Sequence, residues 1–240
     1  MRAIILAAGR GSRMNNLSSE KPKCLVEILG QPLLNLQIMA IRNAGIKNIA
    51  IVTGYKREML ASWRLREFHN ANWESSNMVT SLACASSWLE KYECIVSYSD
   101  IFYNQEIIEN LSIAPGNLNV AYDPSWLDLW SKRFSDPLED AETFKLCSKK
   151  KFITEIGGTA SRIKEIEGQY MGLVKITPQA WNEIQRIRKN LDATKRANLQ
   201  MTNLLQKIID AKRIKVNAVE YKGEWGEVDT ATDLHLYTNR

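Results

Sequence analysis

At 240 residues, with 45% apolar and 25% charged residues, the chain has the composition of one large folded domain, or of one domain carrying an insert. Its net charge of +5 is spread along the sequence, which suits an anionic small ligand and argues against nucleic acid, which wants a basic stripe. Four cysteines without C-x-x-C spacing and only two histidines leave little for a zinc site, a disulfide framework or a Ser–His–Asp triad, and the lack of a signal peptide or a bilayer-length apolar run predicts a cytoplasmic chain with no membrane partner.

The apolar run 3–6 reads as a buried strand. It breaks into a small, basic loop, Ala7, Ala8, Gly9, Arg10, Gly11, Ser12 and Arg13, with Lys21, Pro22 and Lys23 further on. A strand that ends in a Gly-rich turn offers backbone N–H groups to phosphate oxygens, and Arg13 and Lys23 can add charge-assisted bonds. A dinucleotide loop is disfavoured because Met14 stands where the third Gly of G-x-G-x-x-G belongs, and no G-K-[ST] follows to make a P-loop. A plain turn is the bland alternative.

Residues 24–29 read as a short strand, 30–32 as a turn, and 33–41 as a helix with a wide apolar face that Ala44-Gly45 ends. A buried strand at 48–53 and a helix through about 66 follow. Next come a short strand within 68–73, a polar loop at 74–77, a helix at 78–89, a strand at 94–98, a helix at 105–111 and a strand at 117–122. This alternation predicts an α/β fold, a mostly parallel central sheet flanked by helices. Residues 123–167 break the pattern: they are aromatic and acidic, with paired strands at 143–147 and 152–156, and read as a small inserted or edge subdomain within a single 1–240 domain. Strands at 170–177 and 214–219 and helices at 178–190, 201–211 and 230–237 complete the chain.

Three groups of residues carry chemistry. Asp100 lies at the end of the 95–98 strand, where ligands of open α/β sheets bind, and a carboxylate there can hold Mg²⁺ against a triphosphate, or simply cap the next element. Asp229, with Glu227 two residues before it, can share that cation or cap the last helix, whereas Asp233 falls a full turn into the helix and is assigned a structural role. Trp126, Trp130, Asp136, Glu139, Asp140 and Glu142, followed by Gln169 and Tyr170, combine aromatic faces with carboxylates, which is how proteins hold amines; the alternative is aromatics packing a subdomain under a solvated acidic loop.

The two-part motif L-A-A-G-x-G-x-R (residues 6–13) and P-K-x-L (residues 22–25) resembles the signature of nucleotidyltransferases that join a nucleoside triphosphate to a phosphorylated small molecule. W-x-E-x-D-x-x-x-D (Trp225, Glu227, Asp229, Asp233) resembles the C-terminal metal motif of the choline-phosphate and 2-aminoethylphosphonate cytidylyltransferase-like branch, and the resemblance runs from Leu6 to Asp233. It implies a Rossmann-like nucleotidyltransferase fold. It places Leu6, Ala7, Ala8, Gly9, Gly11 and Ser12 around the triphosphate, with Arg13 and Lys23 as the catalytic phosphate-holding pair. It also sets Asn77, Ser81 and Ser99 beside the nucleotide, and gives Mg²⁺ to Asp100 and Asp229, with Glu227 as a third candidate. Trp126, Trp130, Asp140, Glu142, Gln169 and Tyr170 become the acceptor set.

The implied reaction is transfer of a nucleotidyl group, cytidylyl by resemblance, to a phosphocholine-, aminoethylphosphonate- or amino-acid-phosphate-like acceptor with release of pyrophosphate, as used in cell-surface polysaccharide modification. Partners are then CTP and a small phosphate or phosphonate, with a homodimer left open. The competing readings are a sugar-1-phosphate nucleotidyltransferase and a non-catalytic nucleotide-binding regulator.

Overall fold

Every residue from Ala3 to Ala8 is buried, because the first strand lies inside a sheet covered on both faces. The computed structural model describes residues 1–11, 14, 20–149 and 151–238. In chain order these form β1 (Arg2–Ala7), a 3-10 turn (Lys23–Leu25), β2 (Glu27–Ile28), β3 (Gln31–Pro32), α1 (Leu33–Asn43), β4 (Ile49–Thr53), a 3-10 segment (Arg57–Trp63), β5 (Arg66–His69), α2 (Met78–Ala83), α3 (Ser86–Leu89), β6 (Cys94–Tyr98) and β7 (Ile101–Tyr103). Then come α4 (Gln105–Ile113), β8 (Leu118–Asp123), α5 (Trp126–Arg133), β9 (Glu142–Leu146), β10 (Ile153–Thr159), β11 (Gln169–Ile176), α6 (Pro178–Lys189), α7 (Ala193–Ala197), α8 (Met201–Ala211), β12 (Val216–Glu220), β13 (Trp225–Glu227) and α9 (Ala231–Thr238).

The main sheet has seven strands in the order β12-β8-β11-β6-β1-β4-β5. β1 runs parallel to β4 and β6, β4 parallel to β5, and β8 parallel to β12, while β11 is antiparallel to both β6 and β8. The chain leaves β1 toward β4 on one side and later returns to β6 on the other. The loop after β1 therefore opens at the topological switch point, where open α/β sheets bind their ligands. Between β8 and β11 the chain leaves the sheet for α5 and a β9–β10 hairpin. Among the described residues no helix is long and apolar enough to cross a membrane.

Several local expectations are corrected. The stretch 24–29 is not one strand: Val26 N–H closes the 3-10 turn on the Lys23 carbonyl, and β2 then turns into β3 through Leu29-Gly30, both with positive φ, as a two-residue hairpin requires. Residues 57–63 are a 3-10 segment rather than a helix reaching 66, because Lys56 and Arg64 take left-handed backbone conformations at its two ends. The edge strand occupies 66–69 instead of 68–73. The helix expected over 78–89 breaks after Ala83, where the Ser86 hydroxyl donates to the Ala83 carbonyl at 2.6 Å. β7, α5 and α7 were not anticipated. For α5 the signal existed: Trp126, Trp130 and Arg133 are buried at helical spacing.

Candidate active site

The site is built where β1, β6 and the C-terminal β13 converge. Asp100 sits in the tight link between β6 and β7. Gln37, fully buried on α1, donates through its amide to the carbonyls of Tyr98 at 2.7 Å and Ile101 at 2.6 Å, clamping that link. β7 pairs antiparallel with β13, with Ile101 opposite Glu227, and Val228 N–H donates to the Asp100 carbonyl at 2.9 Å. The pairing brings carboxylate oxygens of Asp100, Glu227 and Asp229 within 4.8 Å of one another. Asp229 falls beyond the end of β13 rather than within it, so the expected shared strand face covers Glu227 alone.

Two cations serve this cluster. The buried Lys23 ammonium donates to Asp100 Oδ2 at 2.8 Å and also to Asp229 Oδ1. Burial alone would lower the Lys23 pKa, but Asp100, Asp229 and Glu227 outweigh it and hold it above its ordinary value. Arg133 has a fully buried side chain. Its guanidinium grips Asp233 through Nε–H to Oδ1 at 2.8 Å and Nη2–H to Oδ2 at 3.3 Å, and donates through Nη1 to Glu227 Oε2 at 2.7 Å. Asp233 Oδ2 also accepts the backbone N–H groups of Asp229 and Thr230, both at 2.9 Å, which gives Asp233 the structural role expected of it. Burial and the neighbouring Asp229 charge push the Glu227 carboxyl up to about 7, against the pull of Arg133. Among the described residues, four carboxylates face two cations here. Asp100 Oδ1, moreover, is buried without a hydrogen-bond partner among the described residues.

Beside the cluster lies a cavity of about 450 Å³ whose lining includes Asn77, Tyr98, Trp130, Asp140, Glu142, Gln169, Tyr170, Thr202, Glu227 and Asp229. Five of the six expected acceptor residues meet here. Trp126 does not: it is 3% exposed and its indole N–H donates to the Ile166 carbonyl at 3.2 Å, so it packs the core. Glu142 accepts from the Thr202 hydroxyl at 3.3 Å, and burial raises its carboxyl pKa despite that bond. Tyr170 meets Tyr98 edge-on, ring centroids 5.6 Å apart. Gln169 reaches the site because β11 runs backwards, which puts its first residue opposite Asp123 at the carboxyl end of β8.

The nucleotide-side residues are placed less uniformly. Leu6, Ala7 and Ala8 end β1 and are buried, and the Ala8 carbonyl accepts Tyr55 N–H at 3.0 Å. Gly9 is exposed, and a Cβ there would meet nothing within 4 Å. Gly11 has φ +71°, and a Cβ there would come 3.0 Å from Lys23 Cδ, so the turn and the lysine stem are fitted to each other. Ser12 and Arg13 lie outside the described residues. Asn77 caps α2 by accepting Met78 N–H at 2.7 Å and lines the cavity. Ser81 and Ser99 do not line it, and the Ser81 hydroxyl accepts from the Asn70 amide at 3.0 Å. Sequence reasoning missed Gln37, Arg133, Tyr98 and Thr202. Only Arg133 carried a local hint, as the third buried position of α5.

This fold and this arrangement of loop, lysine and strand-end carboxylates are those of a nucleotidyltransferase. The chain belongs to the family of the MobA-like NTP transferase domain, which matches residues 3–139. It is 38% identical to the CTP:phosphoglutamine cytidylyltransferase of Campylobacter jejuni subsp. jejuni serotype O:2, over an alignment covering 98% of each chain. Among solved structures it shares its fold with the CTP:phosphocholine cytidylyltransferase of Streptococcus pneumoniae (TM-score 0.74, 21% identical, 99% of this chain and 97% of that one). It shares it also with the inositol-1-phosphate CTP transferase of T. maritima (TM-score 0.78, 17% identical, 98% and 93%).

Proposed function

We propose that the chain transfers a cytidylyl group from CTP to a small phosphorylated acceptor that carries an ammonium group, protonated or quaternary, of the phosphoglutamine or phosphocholine kind, and releases pyrophosphate. The nucleotide and acceptor class follow the relatives, whose names are CTP:phosphoglutamine and choline-phosphate cytidylyltransferases. The observation that carries the reading is that one cavity takes its lining both from the strand-end carboxylates Glu227 and Asp229 and from the Asp140, Glu142 and Tyr170 set. Carboxylates and aromatic faces, with no Lys or Arg in that lining among the described residues, favour a cationic nitrogen.

An acceptor phosphate oxygen attacks the α-phosphorus of CTP in line, the bond from that phosphorus to the β-phosphate bridging oxygen breaks, and pyrophosphate leaves. The attacking group is already an anion, so no strong general base is needed, in keeping with a cavity lined, among the described residues, by neither His nor Cys. Lys23, and Arg13 by its place in the signature, neutralise charge on the departing pyrophosphate. The carboxylate cluster fits a hard divalent cation: its donors are all oxygen, they lie within 4.8 Å of one another, and one buried Asp100 oxygen lacks a partner among the described residues. Asp100 and Asp229, with Glu227, would hold Mg²⁺ there, and it would supply phosphate charge neutralisation.

A pyrophosphate-release assay crossing CTP, UTP, dTTP, ATP and GTP with aminoalkyl phosphates, aminoalkyl phosphonates, phosphoglutamine and hexose 1-phosphates tests the reading. Turnover is expected with CTP and an ammonium-bearing acceptor. Preference for a hexose 1-phosphate would overturn it in favour of a sugar-nucleotide enzyme.

A further inference from the structure

One buried charge is not used by the reaction as described. Arg133 ends α5, in the segment that leaves the sheet between β8 and β11, yet its guanidinium is spent entirely on the C-terminal carboxylates. A buried arginine is costly to desolvate unless its donors are met, and here the fork is met on two sides. On one side it takes both oxygens of Asp233, which in turn fixes the backbone N–H groups of Asp229 and Thr230. On the other it holds one oxygen of Glu227. The same guanidinium lies 4.8 Å from the centre of the Trp130 ring, and Trp130 lines the acceptor cavity.

We propose that Arg133 is a positioning residue for the cation site: it fixes Glu227 and the Asp229 backbone in the places that let Asp100, Glu227 and Asp229 act together. The proposal rests on the reading of that cluster as a cation site. The Arg133 side chain is fully buried and does not line the cavity. It acts through Glu227 and Asp233, and it joins the helix that carries Trp130 to the carboxylates. Outer partners of metal ligands change metal affinity by roughly 10–100-fold when lost, because the ligands must then be ordered by the metal itself.

The test is calorimetric titration of CTP, acceptor absent, into the full chain with and without Mn²⁺. Mn²⁺ is expected to tighten CTP binding to the wild type. Arg133→Lys keeps the charge but has no fork to span Asp233 and Glu227 together. It should lose roughly 10–100-fold of that Mn²⁺-dependent gain, while metal-free CTP affinity stays within about twofold and circular dichroism is unchanged. Asp233→Asn, which keeps an oxygen for the two backbone N–H groups but weakens the arginine's seat, should lose part of the same gain and serves as the readout if Arg133→Lys does not fold. A full Mn²⁺ gain in the folded variants would overturn the positioning role alone. A wild type whose CTP affinity ignores Mn²⁺ would overturn the cation-site reading and this proposal with it.

Discussion

Lys23 donates to Asp100 and Asp229, the two carboxylates that would help to hold a divalent cation, and this makes Lys23→Met a variant with effects of opposite sign. The lysine and Asp229 side chains are 9% and 4% exposed and Asp100 is 19% exposed, so the pairs are shielded from water. Removing one partner of a buried pair costs about 3–5 kcal/mol, and the partial exposure of Asp100 favours the lower half of that range. The variant should therefore unfold roughly 6–16 °C below the wild type in EDTA, at 2–4 °C per kcal/mol for a chain of this size. That lost free energy returns when another cation enters. In the wild type a cation must first displace the ammonium; in Lys23→Met it need not. Mn²⁺ affinity of the nucleotide-free chain should accordingly rise by about 10²–10³-fold, at 1.4 kcal/mol per tenfold, even as turnover falls for want of a phosphate-binding lysine. Thermal unfolding with and without Mn²⁺, and Mn²⁺ titration by electron paramagnetic resonance, read both effects. A Lys23→Met chain that binds Mn²⁺ no better than wild type, or whose lost stability Mn²⁺ does not restore, would refute the reasoning.

Asp229→Ala should lower kcat by roughly a thousandfold while circular dichroism stays native, since it removes a carboxylate that would hold the cation neutralising the phosphates; near-wild-type turnover would remove Asp229 from the site. Glu142→Gln should raise the acceptor KM by roughly 10–100-fold, the worth of a bond to a charged group, and leave the CTP KM unchanged; equal changes in both would count against an acceptor role. The pH dependence has a defined sign. Glu227 is held up to about 7 in the folded chain against an ordinary value of 4.5, so the native state keeps a proton that the unfolded chain has already released across that window. Stability from this group is therefore lost as pH rises from about 4.5 to about 7. In EDTA, Glu227→Gln should flatten that part of the unfolding-temperature profile, and an unchanged slope would show that another group sets it.

The N-terminal part of the site was legible because its determinants are local. An apolar strand, a Gly-containing turn and a lysine about a dozen residues on fall within one short stretch of sequence. Asp100 was legible from a topological rule, that ligands gather at the carboxyl ends of parallel strands, and Asp229 from its spacing to Glu227 and the resemblance of the W-x-E-x-D motif. What could not be read was pairing across long separations. Arg133 and Asp233 are 100 residues apart, and nothing near either names the other. Trp126 and Trp130 looked equivalent as aromatic residues in an acidic stretch. One turn of helix separates them, and Trp130 lines the cavity while Trp126 reaches the Ile166 carbonyl. The 57–63 segment was misread as a regular helix because left-handed conformations at Lys56 and Arg64, neither a glycine, leave no mark in an apolar pattern.

The reversal of β11 explains how Glu227 and Asp229 come to share one edge of the sheet with Asp140, Glu142, Gln169 and Tyr170. In a parallel strand the first residue lies at the far edge from the site, so Gln169 and Tyr170 could not line the cavity. Because β11 is antiparallel to β6 and β8, the chain leaves the carboxyl end of β8 at Asp123 and re-enters at Gln169 directly opposite, with no crossover. The excursion between these two points begins and ends at the site, and it contributes Trp130, Asp140 and Glu142 to the cavity. Its side chains can change with little effect on β1, β4 and β6, whose registers depend on one another and not on the hairpin. Several contacts limit that freedom: Ile156 N–H donates to Gln206 Oε1 at 2.8 Å, and the Thr202 hydroxyl to Glu142 at 3.3 Å. Arg133 ties the excursion to Glu227 and Asp233, and the Trp225 indole donates to Asp123 Oδ2 at 2.9 Å where the excursion starts. Residues 123–133 are thus held to Glu227 and Asp233, and the hairpin beyond them to Thr202 and Gln206.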